Sequence, residues 1–324
     1  MAVIMGNELK SAIKSKKMLL ILNPKAGMMH ANKHLADIIK IFVEANFIPT
    51  VLTTTSKGDA LRFASECSEG KDIVVCIGGD GTLNEAVAGI LHSGNKTLVG
   101  YIPSGSTNDF ANSIGVSKNI LTAAQDITNG RVIDLDVGKF NGRYFSYVAS
   151  FGAFTGTSYE VPQNIKNILG HTAYVLQGIR EIPNIKSQYL KITTPERVIE
   201  GNFIFGAICN STSVGGILSF EEFDINMNDG KVEVFLIRKP DNIIELNSML
   251  VAIIDNSFNS PLITFFSTAS AKIEASRGMP WTLDGEYEPG TDEINISIVH
   301  SGISIMVPEI DMRNRQTVRR PLVK

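Results

Sequence analysis

The chain has 324 residues, 44% hydrophobic and 19% charged, with a formal net charge of -3, and at roughly 150 residues per domain its length predicts about two domains. No run approaches the roughly 18 uncharged apolar residues of a spanning helix, and residues 1–17 lack the apolar core of a signal peptide, so the expectation is a cytoplasmic protein. Cys67, Cys76 and Cys209 form no Cys-x-x-Cys or Cys/His cluster, which disfavours a disulfide scaffold and a structural zinc.

In chain order, residues 18–22 read as a buried strand and 31–45 carry apolar residues at helical spacing. A short strand at 51–53, a helix at 59–67, an apolar run at 73–77, a helix at 83–91 and a strand at 98–102 follow. This alternation predicts a Rossmann-like α/β domain, a parallel sheet covered by helices on both faces. After Arg131 the rhythm changes: 132–140 and 144–149 flank Asn141-Gly142, a strong hairpin signal because both turn positions need positive φ. Further strands at 188–193, 198–209, 232–237, 271–275, 293–299 and 303–307, with helices near 172–181 and 242–254, predict a mainly antiparallel β-sandwich. The predicted division is 17–135 for the α/β domain, 136–310 for the β domain and 311–324 for a basic tail.

The most informative segment is Gly78-Gly79-Asp80-Gly81-Thr82-Leu83-Asn84, directly after a buried strand and before a helix. In an open α/β sheet, ligands bind at the carboxyl ends of strands. Three glycines in four residues let a polyphosphate approach backbone N–H groups, and the helix start adds more of them with a positive dipole end. Asp80 would repel phosphate unless a cation intervenes, which makes it a candidate Mg²⁺ contact. The alternative is a tight strand-to-helix turn with Thr82 as N-cap. Asn23-Pro24-Lys25-Ala26-Gly27 follows the first strand and Pro103-Ser104-Gly105-Ser106-Thr107-Asn108-Asp109-Phe110 the fourth, so all three loops converge at one sheet edge. Neither a Walker loop nor a dinucleotide fingerprint is present.

The combination Asn-Pro-x-x-Gly, Gly-Gly-Asp-Gly-Thr-x-Asn and Pro-x-Gly-Ser/Thr-x-Asn-Asp-Phe-Ala resembles the diacylglycerol kinase catalytic-domain family, in particular its soluble bacterial lipid kinases. The likeness runs from about residue 17 to about 308, and the third loop separates it from NAD kinases and phosphofructokinases, which share the glycine run. The resemblance implies ATP in a cleft between the two domains. Asn23, Gly27, Thr54, Gly78, Gly79, Asp80, Gly81, Thr82, Asn84 and Ser106 are the implied contacts, with Ser106 where the family usually has Thr. Asp109 either holds the nucleotide metal or caps the helix that starts there.

Trp281-Thr282-Leu283-Asp284-Gly285-Glu286 lies in the second half. By itself Asp-Gly is a turn signal; two carboxylates around a glycine at a cleft also suit phosphoryl transfer, which needs a proton acceptor and charge compensation. The resemblance assigns Glu286 as the base and Asp284 as its partner. It also implies a structural Mg²⁺ held by Asn226, Asp229 and the Lys231 carbonyl, where a plain hairpin turn is the other reading. The five histidines are dispersed and unpaired with a nucleophile, and Lys166 reads as a solvated helix residue or a phosphate or headgroup contact.

The implied activity is ATP-dependent transfer of the γ-phosphoryl group to a lipid hydroxyl, first diacylglycerol to give phosphatidic acid. A sphingoid base, a prenol or another glycerolipid are alternatives, as are a non-lipid kinase related to NAD kinase and a non-catalytic nucleotide-binding regulator. Residues 1–17 hold four Lys against one Glu and 313–324 hold four Arg and one Lys without an acid, so the body between them carries -11. An acidic body argues against nucleic acid. The basic ends are solvated tails or touch anionic lipid, which fits a transient peripheral visitor to the membrane; a homodimer is compatible with the sequence.

Overall fold

In the computed structural model, the described residues are 15–26, 33–105, 108–152, 186–214, 218–220, 223, 225–255 and 257–309. Gly27, Ser106, Lys166, the helix expected at 172–181 and the tail at 311–324 lie outside them.

The first half is the expected parallel sheet. Strands β1 (Lys16–Leu22), β2 (Phe47–Thr53), β3 (Ile73–Gly78) and β4 (Leu98–Pro103) are ordered β4-β3-β1-β2. Helices α1 (Leu35–Glu44), α2 (Asp59–Cys67) and α3 (Asp80–Ser93) connect them. β3 is buried at every position, which is why it reads as an unbroken apolar run rather than an alternating one. A helix starts at Asp109 as expected, with Asn108 rather than Asp109 at its N-cap position, and the next helix escaped the sequence reading. The short α4 (Asp109–Ser113) follows β4, and α5 (Ile120–Asn129) is capped by Asn119, whose Oδ1 accepts from the Leu121 and Thr122 N–H groups at 3.1 and 3.0 Å.

The second half is antiparallel. β5 (Arg131–Phe140), β6 (Arg143–Phe145) and β7 (Val148–Gly152) are followed by β8 (Gln188–Thr193) and β9 (Val198–Cys209). The short β10 (Ser213–Val214) and β11 (Leu218–Ser219) pair with each other. Then come β12 (Val232–Arg238), α6 (Ile243–Ile254), β13 (Ile263–Thr268), β14 (Ala271–Ala275), β15 (Pro280–Leu283), β16 (Glu286–Pro289) and β17 (Glu293–Val307). These strands enclose a second core in which Trp281 packs against Phe140 and Phe151, ring centroids 5.1 and 4.9 Å away.

Two departures from the sequence reading bear on the site. The stretch 144–149 is not one strand: β6 pairs with β5, while β7 turns away to pair with β9 and β15. Strands expected at 293–299 and 303–307 are one strand, β17, with a register shift between Val299 and Ile303. β5 and β17 pair along both sides of that shift, and β17 also meets β4 at Ile305↔Val99, so this ribbon joins the two halves. At the shift, the buried Asp136 carboxylate accepts from the Ser301 and Gly230 N–H groups at 2.8 and 2.6 Å.

Candidate active site

The carboxyl ends of β1 to β4 share one edge, and the loops leaving them build a cleft of about 560 Å³, within the range of small-molecule sites. Its lining comprises Asn23, Lys25 and Ala26 after β1, residues 54–57 after β2, Gly79, Gly81, Thr82 and Glu85 after β3, Gly105 after β4, and Glu286 from the second half.

Glycine is required where the third and fourth loops cross. A Cβ on Gly105 would lie 2.7 Å from the Gly79 Cα, and one on Gly78 would lie 2.6 Å from the Thr82 Cβ. Asn108, left-handed at φ 53°, grips Gly105 from both sides: its Oδ1 accepts from the Gly105 N–H at 2.8 Å and its Nδ2 donates to the Gly105 carbonyl at 2.9 Å. Thr82 is not the N-cap of α3. The helix starts at Asp80 with Gly79 as N-cap and no side chain capping it, so its first-turn N–H groups serve the cleft. Thr82 Oγ1 instead accepts from Asn23 Nδ2 at 2.9 Å and ties the first loop to the third.

The loop after β2 is held from two sides. Asp59 accepts from the Thr55 and Ser56 N–H groups at 2.8 and 3.0 Å and from the Thr55 hydroxyl at 2.9 Å. Those hydrogen bonds, the Thr55 N–H first, pull the Asp59 carboxyl well below its usual range. Glu85 takes the Gly58 and Ala60 N–H groups at 2.8 and 3.2 Å, so α3 caps the start of α2.

The remaining expected residues stand behind the lining. Asp80 turns under its loop, where Oδ2 accepts from the Asp109 N–H at 3.0 Å and Oδ1 from the Tyr101 hydroxyl at 3.2 Å. Burial raises the Asp80 carboxyl, and burial followed by the Asp80 charge pushes Asp109 up to about 6. Asn84 Oδ1 accepts from the Ser146 hydroxyl at 3.1 Å, so it binds the two halves together. Thr54 is buried in the cleft wall, its N–H bonded to the Leu22 carbonyl.

Asp284 has a different place from the one expected of a partner to Glu286. It is 4% exposed, left-handed at φ 50°, and accepts from three successive N–H groups, those of Ser146, Tyr147 and Val148, at 2.6, 3.0 and 2.9 Å. That grip is why 144–149 splits into β6 and β7. Burial pushes the Asp284 carboxyl up to about 7 against the pull of those donors. Two residues on, Glu286 opens β16 at the cleft, its Oε1 3.6 Å from where a Cβ on Gly81 would lie. Its Oε2 meets Arg143 Nη2 at 2.8 Å and Lys57 Nζ at 3.0 Å, and Arg143 uses its other terminal nitrogen on Glu288.

In the 226–231 turn the two expected side-chain ligands bond to the turn's own backbone, while the Gly230 N–H reaches Asp136 and Asn228 Oδ1 accepts from Ser301. Asn226 Oδ1 accepts from the Asn228 N–H at 3.1 Å and Asp229 Oδ1 from the Lys231 N–H at 3.0 Å. Among the described residues no three His, Cys, Asp or Glu come together in a way that holds a metal.

The diacylglycerol kinase catalytic domain model matches residues 17–140. A diacylglycerol kinase of Bacillus subtilis (strain 168) is 32% identical over 84% of this chain and 90% of its own length. The chain belongs to the diacylglycerol kinase family. One of Staphylococcus saprophyticus is 29% identical over 94% of this chain and 99% of its own. A Bacillus anthracis str. Sterne crystal structure, provisionally described as a diacylglycerol kinase, superposes with a TM-score of 0.75 at 27% identity, covering 91% of this chain and 98% of that one. Membership makes the chain a lipid kinase by class, and it accounts for both halves of the fold. No helix among the described residues is long and apolar enough to cross a membrane.

Lys57, Glu85 and Arg143 are site residues the sequence reading missed. Glu85 directly follows the expected Asn84, and Lys57 lies three residues after the expected Thr54, so adjacency was the available signal. Arg143, beside the hairpin turn, carried none.

Proposed function

We propose that this protein transfers the γ-phosphoryl group of ATP to a lipid hydroxyl, with diacylglycerol as the first acceptor and phosphatidic acid and ADP as products. The observation that carries the reading is Glu286 opposite the uncapped start of α3, across a cleft floored by crossing glycines. A sphingoid base, a prenol or another glycerolipid are the acceptors to be compared, because no described motif specifies the lipid.

In this reading the nucleotide phosphates lie on the N–H groups of the 79–82 turn, between the Asn23, Thr54 and Gly105 loops. Gly27 and Ser106 belong to the same proposed set. Glu286 takes the proton of the attacking hydroxyl, whose oxygen forms the new bond to phosphorus. The bond from phosphorus to the β–γ bridging oxygen breaks, and ADP leaves with its electron pair. Asp80 and Asp109 are neighbouring carboxylates raised by burial, Asp109 also by the Asp80 charge, and hard oxygens of this kind suit a divalent cation. They would hold Mg²⁺, which supplies positive charge for the transferred phosphoryl. Asp284 positions Glu286 by fixing the turn before it.

The Asn226, Asp229 and Lys231 turn offers one carboxylate, with Oδ1 already on the Lys231 N–H; we read it as the plain hairpin turn, and no step passes through it. We also infer a working division at 17–135 and 136–310, a cytoplasmic site of action with transient peripheral membrane contact, and no nucleic-acid partner. The test is ADP release against a panel of lipids in mixed micelles. Diacylglycerol is expected to give the highest rate and Glu286→Gln to lower it by about 10²–10⁴-fold. No turnover with any lipid would contradict the reading, and turnover with NAD alone would replace the acceptor class.

A further inference from the structure

We propose that Lys57 is a further catalytic residue: it pairs with Glu286 in the nucleotide-free protein and passes to the transferred phosphoryl group when ATP binds. The inference rests on Glu286 as the proton acceptor.

Glu286 is loaded on one side only. Arg143 and Lys57 both meet Oε2, at 2.8 and 3.0 Å, while Oε1 faces Gly81 in the glycine turn. Oε1 is therefore the oxygen turned toward the reacting groups. A general base lies within hydrogen-bond reach of the hydroxyl it deprotonates, and that hydroxyl oxygen lies in line with the phosphorus. A cation against the other oxygen of the same carboxylate sits within a few ångströms of the transferred group.

The two cations are mounted differently. Arg143 bridges Glu286 and Glu288, which project from the same face of β16, so its planar fork is held at both ends and serves to position Glu286. Lys57 is 72% exposed, and an ion pair that open is weak and readily exchanged. Its root is nonetheless fixed: Asp59 holds the Thr55 and Ser56 N–H groups on one side, and Glu85 holds the Gly58 N–H on the other. A rigid base under a free four-carbon stem lets the ammonium leave one carboxylate oxygen for a phosphoryl oxygen lining the same cleft.

The transition state spreads charge over the three equatorial phosphoryl oxygens, and a cation placed there stabilises it more than the ground state. Departure of Lys57 also removes one of the two cations that compete with the hydroxyl proton for Glu286. No bond to Lys57 forms or breaks: the proton goes to Glu286 and the electron pair leaves with ADP.

The experiment compares wild type, Lys57→Met, Lys57→Arg and Glu286→Gln, measuring kcat and KM for ATP and lipid in mixed micelles, and affinity for ATP and for ADP by displacement of a fluorescent nucleotide. Lys57→Met is expected to lower kcat at least 30-fold with the lipid KM unchanged. It should weaken ATP more than ADP, by about fivefold, and Lys57→Arg should recover part of both. Equal ATP and ADP affinities relative to wild type, or a Lys57→Met kcat within threefold while Glu286→Gln is slowed as expected, would overturn the inference. An undiminished Glu286→Gln rate would instead overturn the base reading, and the ATP-against-ADP difference would then decide on Lys57 alone.

Discussion

Two Asp-Gly turns of the second half, Asp284-Gly285-Glu286 and Asp229-Gly230-Lys231, look alike in sequence and are built to opposite ends. Asp284 is buried and spends its carboxylate on three N–H groups of a segment far away in the chain, so its turn is rigid relative to the rest of the molecule and Glu286 is aimed at the cleft. Asp229 accepts from its own neighbour, and its turn is tied to the rest of the molecule by the Gly230 N–H on Asp136 and by Asn228 Oδ1 accepting from the Ser301 hydroxyl rather than by the Asp229 carboxylate. The two turns differ in where the aspartate is spent: Asp284 outside its own turn, which leaves Glu286 facing the cleft, and Asp229 within it.

The largest expected effect breaks the first turn. Asp284→Ala leaves three buried N–H groups without an acceptor, at about 1–3 kcal/mol each before relaxation. We expect a net loss of about 4 kcal/mol in urea unfolding and loss of turnover; a stability change under 1 kcal/mol would remove the anchoring role.

A second prediction uses Glu233, next to the other turn. It is 3% exposed with Oε2 lacking a hydrogen-bond partner, and burial, followed by the Asp229 charge, pushes its carboxyl up to about 7. A raised acid means that the folded protein holds a proton the unfolded chain has lost. Stability from this group is therefore full below 4.5, the ordinary glutamate value, and is lost as pH rises through about 7. Glu233→Gln should exceed wild type by up to about 3 kcal/mol at pH 8 and match it near pH 4.5. The reverse ordering would contradict the burial argument.

The smallest effect sharpens the comparison. Asp229→Asn keeps an acceptor for the Lys231 N–H and removes the charge that opposes Glu233. Turnover should stay within threefold of wild type, with a gain of about 0.5 kcal/mol at pH 8 on the scale of weak surface electrostatics. A hundredfold loss of activity would restore the turn as a metal site.

Much of this architecture was legible from residues alone. β3 and β4 are continuous apolar runs because burial on both faces leaves no alternation, and their boundaries fall within a residue of expectation. The strands β15 and β16 were hidden because each has only four residues, the shortest length over which alternation can show. The break between β6 and β7 was invisible for a different reason: Asp284, remote in sequence, causes it. The glycine turn announced the site, since Gly79 and Gly105 can touch only without side chains. The cations around Glu286 did not, because Lys57 and Arg143 acquire meaning only when tertiary structure brings them to one carboxylate. The resemblance supplied the role of Glu286, and the structure supplied what holds it.

The most direct measurement is a single-turnover transfer of labelled γ-phosphate from ATP to diacylglycerol by Glu286→Gln, with nucleotide affinity measured on the same sample. A positioned base contributes about 10²–10⁴-fold. The account expects a rate loss of that order with ATP affinity within threefold of wild type, and an undiminished rate would contradict it.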